Sequence, residues 1–133
     1  MDLEAKKEVV LGFYKTAFID KDPEKALRLY GGDYYTQHNP RVRDGKEAFL
    51  EYAKVRVVVN PGRKLSIRRV IAEGDLVVLH TQSVFTPGDA AYPQSPNGVA
   101  TVDIFRLENG KVVEHWDVHE NVPAEAVHNN TMF

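Results

Sequence analysis

Cysteine is absent from the 133 residues, which excludes disulfides, thiolate nucleophiles, iron–sulfur clusters and zinc sites built on thiolates. An excess of one charge is lacking too: 17 Lys and Arg stand against 19 Asp and Glu, a formal net charge of -2. The bulk electrostatic argument for a nucleic-acid partner is thereby removed. No apolar run approaches the roughly 20 residues of a membrane-spanning helix, and Met1 to Lys7 lack the basic-then-apolar order of a secretory leader. The expectation is a cytoplasmic chain with no membrane and no nucleic acid among its partners. Missing as well are a Gly-rich phosphate loop, a dinucleotide fingerprint, a nucleophile elbow and a zinc-protease helix. No organic cofactor is therefore expected, and no metal is assigned. His115 and His119, four apart on a strand, lie roughly 13 Å from each other and cannot share an ion, which leaves open only a site where His38, His80, His115 and the Asp residues converge.

What is there reads as one globular domain over residues 1–133, since 43% hydrophobic and 27% charged residues are close to the average for folded chains. Val10, Phe13, Tyr14, Ala17 and Phe18 recur every three or four residues and predict a helix over 3–19. Asp22-Pro23-Glu24 starts a second helix, stopped at Gly31-Gly32, because Asp caps free N–H groups and Pro suits the first turn. Asp44-Gly45-Lys46-Glu47 resembles a capping box and opens a third, running to about Val59 before Asn60-Pro61-Gly62. The period then changes to two, and Lys64 to Glu73, Leu76 to Phe85, Val99 to Glu108 and Lys111 to His119 predict four strands. Gly74-Asp75 and Asn109-Gly110 are hairpin turns, while Thr86 to Gly98 is a long loop, either a rim or lid or a plain surface excursion. The fold class is α+β: a curved antiparallel sheet wrapped around the N-terminal helices.

Ionisable residues inside apolar strand patterns carry the functional information, since a buried charge persists only when paired, neutralised or used. They are His38 within Tyr34-Tyr35-Thr36-Gln37-His38-Asn39-Pro40, His80, Asp103, and His115 with Asp117 in the last strand. Alternation puts Val113, His115, Asp117 and His119 on one face and Glu114, Trp116 and Val118 on the other. Two hairpin registers fit Asn109-Gly110. A loop of about three residues with Gly110 in a bulge sets Asp103 against His115 and on the face of Asp117; a two-residue turn sets Asp103 against Trp116 and away from Asp117. Turn chemistry favours the first. An apolar pocket would raise such a carboxyl toward neutrality and suit it to acid/base work beside an imidazole.

The segment Val102-Asp103-Ile104-Phe105-Arg106-Leu107-Glu108-Asn109-Gly110-Lys111-Val112-Val113-Glu114-His115-Trp116-Asp117-Val118, with Gln37-His38-Asn39-Pro40 and Asp44-Gly45-Lys46-Glu47-Ala48-Phe49 upstream, resembles the SnoaL-like polyketide cyclase branch of the nuclear transport factor two-like superfamily. The resemblance implies a cone-shaped, cystatin-like α+β barrel with an apolar pocket at its mouth, commonly a homodimer through the outer sheet face. Its relatives include polyketide cyclases, ketosteroid isomerases, limonene epoxide hydrolases and non-catalytic members. By that resemblance Asp117, seven places after the hairpin glycine, is the acid or base, and His80 matches a pocket histidine of the cyclases. The strand Leu76 to Phe85 lacks the Arg and second Asp, two places apart, of the epoxide hydrolases. The expectation is an enzyme that moves a proton next to a carbonyl of a small apolar ligand, in aldol closure or isomerisation. Asp117 is its acid/base, His80 and His38 polarise oxygen or relay protons, Asp103 orients His115, and Tyr14, Phe18, Tyr35, Asn39 and Trp116 line the pocket. The alternative is a non-catalytic ligand-binding or dimerisation domain of the same fold.

Overall fold

The computed structural model describes residues 1–133. Helix α1 (Leu3–Tyr14) begins where the Asp2 carboxylate accepts the Ala5 N–H at 2.8 Å, and it continues into a π-helical turn over Lys15–Ile19. Single π turns inside helices are frequent at functional sites; this one follows Tyr14 and contains Phe18, two rings of the cavity wall. Helix α2 (Pro23–Tyr30) has the expected start, with Asp22 accepting the Lys25 N–H at 3.0 Å. Helix α3 (Lys46–Val59) does not. Its N-cap is Gly45, without a side-chain cap, and the Asp44 carboxylate instead accepts the Gln37 N–H at 2.8 Å.

The sheet has five strands rather than four: β1 (Gly31–Gln37), β2 (Lys64–Glu73), β3 (Leu76–Val84), β4 (Val99–Glu108) and β5 (Lys111–Asn121), in the order β1-β5-β4-β3-β2. β1 runs parallel to β5, so the sheet is mixed; the other three pairs are antiparallel, as expected. Gly32 makes β1 possible. A Cβ there would lie 2.5 Å from Val113 Cγ1, so only glycine lets this strand approach β5.

The hairpin between β4 and β5 follows neither register expected from the sequence. Asn109 (φ 52°) and Gly110 (φ 75°) form a two-residue turn of the left-handed kind, and Glu108 pairs with Lys111. Arg106 pairs with Glu114 but Leu107 with Val112, leaving Val113 as the extra residue of a bulge. The bulge undoes the inversion a plain two-residue turn would cause. Asp103 lies opposite Asp117 and Phe105 opposite His115, all on the inner face.

Cross-strand rungs stack along that face: Val77, Phe105 and His115; then Leu79, Asp103 and Asp117; then Thr81, Thr101 and His119. Phe13 and Tyr14 of α1 and Phe49 of α3 pack with Phe105 as the core beneath them. The long loop does not stand free. Ala90 N–H donates to Val59 O and Ala91 N–H to Asn60 Oδ1, both at 2.9 Å, and the Asp89 carboxylate accepts from Gly62 and Thr86. It is a fixed side wall that returns to the sheet at Gly98, whose φ is +89°. A Cβ there would sit 2.4 Å from Ser83 O. Gly98→Ala is therefore expected to lower stability by at least about 1–2 kcal/mol, read from the midpoint of urea unfolding. No helix is long and apolar enough to cross a membrane.

Candidate active site

A cavity of about 160 Å³ lies between α1, α3 and the inner sheet face, room for a ring-sized group. Tyr14, Phe18, Tyr35 and Phe105 form its apolar wall and Asp103, His115, Asp117 and His119 its ionisable one. Tyr35 is held by ring contacts with Phe13 and Phe49, and Tyr14 by Phe18 and Phe105. Burial, reinforced by the Asp103 charge, pushes both tyrosine hydroxyls up, so they stay protonated and serve as donors.

The His115 ring is fixed from both sides. Gln37 Oε1 accepts the backbone N–H groups of His38 (3.1 Å) and Asn39 (3.0 Å), which identifies it as the oxygen of the amide. His115 Nδ1, 2.7 Å from the same oxygen, must then carry the hydrogen. Its Nε2 is 2.8 Å from Asp103 Oδ1. That contact is attractive only if one proton lies between the two atoms, as imidazolium with carboxylate or as imidazole with carboxylic acid. Asp103 Oδ2 is buried without a hydrogen-bond partner.

Asp117 is held by a different set. Its Oδ2 accepts from Asn39 Nδ2 and His119 Nε2, each at 3.0 Å, with His115 Nε2 at 3.6 Å. Its Oδ1 has no partner within the chain. Burial would raise this carboxyl, but the hydrogen bonds from His119 and Asn39, with the charges of His115 and His119, outweigh it and hold the carboxyl below its ordinary value. The expected rise toward neutrality does not occur, because the pocket supplies donors as well as apolar walls. The same hydrogen bond raises His119 against its partial burial, and its Nδ1 meets Thr101 Oγ1 at 3.0 Å.

The sign of the pH dependence follows. Asp117, lowered on folding, contributes stability that is complete above the unfolded carboxyl value of about 4 and is lost as pH falls through its folded value. His119, raised on folding, contributes stability that is complete below about 6.5 and is lost as pH rises through its folded value. Melting temperature against pH should thus fall off on both sides of roughly pH 4 to 6.5. In His119→Asn the alkaline decline should be shallower than in the native chain; identical limbs would remove the pair from the account.

Three expected site residues lie elsewhere. His80 is on the outer face of β3, with Arg69 Nη1 3.1 Å from its Nδ1 and the Phe133 ring stacked on it. The alternation that buries Leu79 and Thr81 turns it outward. His38 follows the last residue of β1 on the outer side, where its Nε2 meets Glu114 at 2.7 Å. Trp116 stacks on it with ring centroids 4.6 Å apart, so it is no part of the cavity wall. Gln37, within the segment singled out in the sequence, and Thr101 were given no role there. Nor was His119, although alternation had placed it on the face of Asp117. Asp103, His115 and Asp117 have ligand atoms within 4.8 Å of one another, the only such cluster. With hydrogen on Nδ1, an ion there would take His115 Nε2 in place of the proton shared with Asp103.

The family model described as SnoaL-like polyketide cyclase matches residues 8–126. The chain belongs to this family. Among solved structures, TsrD from Streptomyces laurentii is 22% identical, with a TM-score of 0.73 over 90% of this chain and 91% of that one. A candidate SnoaL-like polyketide cyclase from Jannaschia sp. is 20% identical, with a TM-score of 0.71 over 89% and 87%. A nuclear transport factor two-like protein of unknown function from Cytophaga hutchinsonii is 16% identical, with a TM-score of 0.65 over 86% and 89%. At these identities the likeness concerns the fold, and this SnoaL-like chain has the helices and mixed curved sheet of its neighbours. No functionally curated protein matches it.

Proposed function

We propose that this SnoaL-like protein is an enzyme that abstracts a proton next to a carbonyl and returns it elsewhere, in isomerisation or aldol closure, with Asp117 as base. The observation that carries this is the division of labour at Asp117: Oδ2 is held by Asn39 and His119 while Oδ1 is unpartnered in a residue that lines the cavity. A carboxylate held below its ordinary value is a weak base, so the reaction depends on stabilising the enolate. Two donors that line the cavity serve, the Tyr14 and Tyr35 hydroxyls, both kept protonated by burial. The carbon proton passes to Asp117 Oδ1 and the electron pair to the carbonyl oxygen. Asp117 then returns the proton, either to another carbon of the enolate or, when the enolate closes on a second carbonyl, to the oxygen of that carbonyl.

The test is solvent exchange. Ring ketones such as 1-indanone and 2-tetralone, incubated with the protein in deuterium oxide, are expected to gain deuterium beside the carbonyl faster than in buffer, read by proton NMR. Ketones that bind without exchange would overturn the enzymatic reading and leave a ligand-binding protein. The outer sheet face, with Val102, Val118 and Ile71 exposed and Trp116 beside them, supports the expected homodimer. Light scattering that gives the mass of one chain across concentrations would exclude it.

A further inference from the structure

The cavity contains two arginines that the proton-transfer reading leaves without work. Of the eight arginines in the chain, Arg56, Arg63 and Arg106 are the half-buried ones. Arg106 has its counter-charge, Glu114, at 2.6 Å. Arg56 and Arg63 have no carboxylate within 4.0 Å, yet both line the cavity. Arg56, on the last turn of α3, lies over the Tyr52 ring at 5.7 Å, and its Nε is buried without a hydrogen-bond partner. Arg63 donates through Nε and Nη2 to Ser83 Oγ at 3.1 and 2.9 Å and lies over the Phe18 ring at 5.7 Å. That fixes the guanidinium plane and leaves Nη1 unbonded. A half-buried cation without an anion, held by rings and one hydroxyl, has an unmet electrostatic demand.

The rungs of the sheet separate the anchor of Arg63 from the rung of the base. Ser83, the anchor of Arg63, is four residues along β3 from Leu79, on the rung of Asp103 and Asp117, or ~13 Å at strand rise. The cavity therefore has an anionic end at Asp103 and Asp117 and a cationic end at Arg56 and Arg63, with aromatic walls between. Resting on the reading of the cavity as a small-molecule site, we infer that Arg56 and Arg63 bind the carboxylate of the ligand. The substrate class is then a ring-bearing carboxylic acid whose reacting carbonyl lies at the opposite end from its carboxylate. The arginines would supply binding and orientation, keeping the carboxylate away from Asp117, where like charges would repel.

The test compares acids with their uncharged isosteres. Benzoate and 2-naphthoate are titrated calorimetrically at pH 7 beside methyl benzoate and methyl 2-naphthoate, into the native chain and into Arg56→Met, Arg63→Met and the double variant. The acids are expected to bind about 10- to 100-fold tighter than the esters to the native chain, with the preference reduced in each single variant and gone in the double one. Melting curves establish that each variant is folded. Arg63→Lys, which keeps a cation without the planar fork, should give an intermediate preference and serves where the Met variant does not fold. Equal binding of acid and ester, a preference that survives the double substitution, or no binding of either acid would each overturn the inference. Its failure is separable from that of the proton-transfer reading: ketone exchange without acid preference removes only the anion site, and acid preference without exchange removes only the catalysis.

Discussion

Asp117→Asn is expected to lower deuterium exchange into a bound ketone by about 10²- to 10⁴-fold, the range for loss of a positioned general base. The substitution is nearly isosteric, and the amide oxygen can take over the bonds that Oδ2 receives from Asn39 and His119. Ligand binding should therefore change little beside the rate, and melting temperature should fall by about as much as in the acid decline of the native chain, since both remove the Asp117 charge. A second readout marks the mechanism. The hydrogen bond and charge of Asp117 raise His119, so in the variant the His119 ring should titrate closer to its ordinary value near 6.5 when followed by NMR. The rate profile of the native chain should extend flat toward acid pH, since the base is held below the usual carboxylate range. A variant that keeps exchange within a few-fold of native would move the base to another residue, and the His115–Asp103 pair would be examined first.

The parts of the site that could be read from the sequence are those that depend on alternation within one strand. His115, Asp117 and His119 share a face because they are two apart on β5, and that holds whatever the strand pairs with. The relation between β4 and β5 depends on one residue. The adjacent buried pair Val112-Val113 was the sign that alternation breaks there, since two consecutive inward residues on a strand require a bulge. The same parity argument, applied to Leu79, His80 and Thr81, sends His80 outward. The family likeness had outweighed it. β1 was hidden for another reason: Gly31-Gly32-Asp33 carries weak strand propensity, and its glycines serve close contacts, Gly31 with Leu27 of α2 and Gly32 with Val113 of β5, rather than local preference. Arg56 and Arg63 gave no signal, because a charged residue near a helix end usually lies in solvent; that these two line a cavity follows only from how α3 and β2 meet the sheet.

Phe105→Ala should have the largest effect on stability, about 3–5 kcal/mol in urea unfolding, the usual range for removing a buried aromatic ring. Phe105 is 2% exposed and touches the rings of Phe13, Tyr14 and His115. Small domains commonly have only about 5–15 kcal/mol to lose, so this one substitution removes a large share. The residue also belongs to both halves of the molecule: its rung carries Val77 on one side and His115 on the other. Its centroid lies 4.8 Å from that of His115. Without the ring, the hydrogen bonds to Gln37 and Asp103 would have to hold the imidazole against an empty space. Exchange in the folded fraction should then fall together with stability, whereas Asp117→Asn should lower exchange far more than stability. A loss below about 1 kcal/mol would mean that the inner face relaxes around the void, and the cavity would then be a soft region of the core rather than a preorganised site.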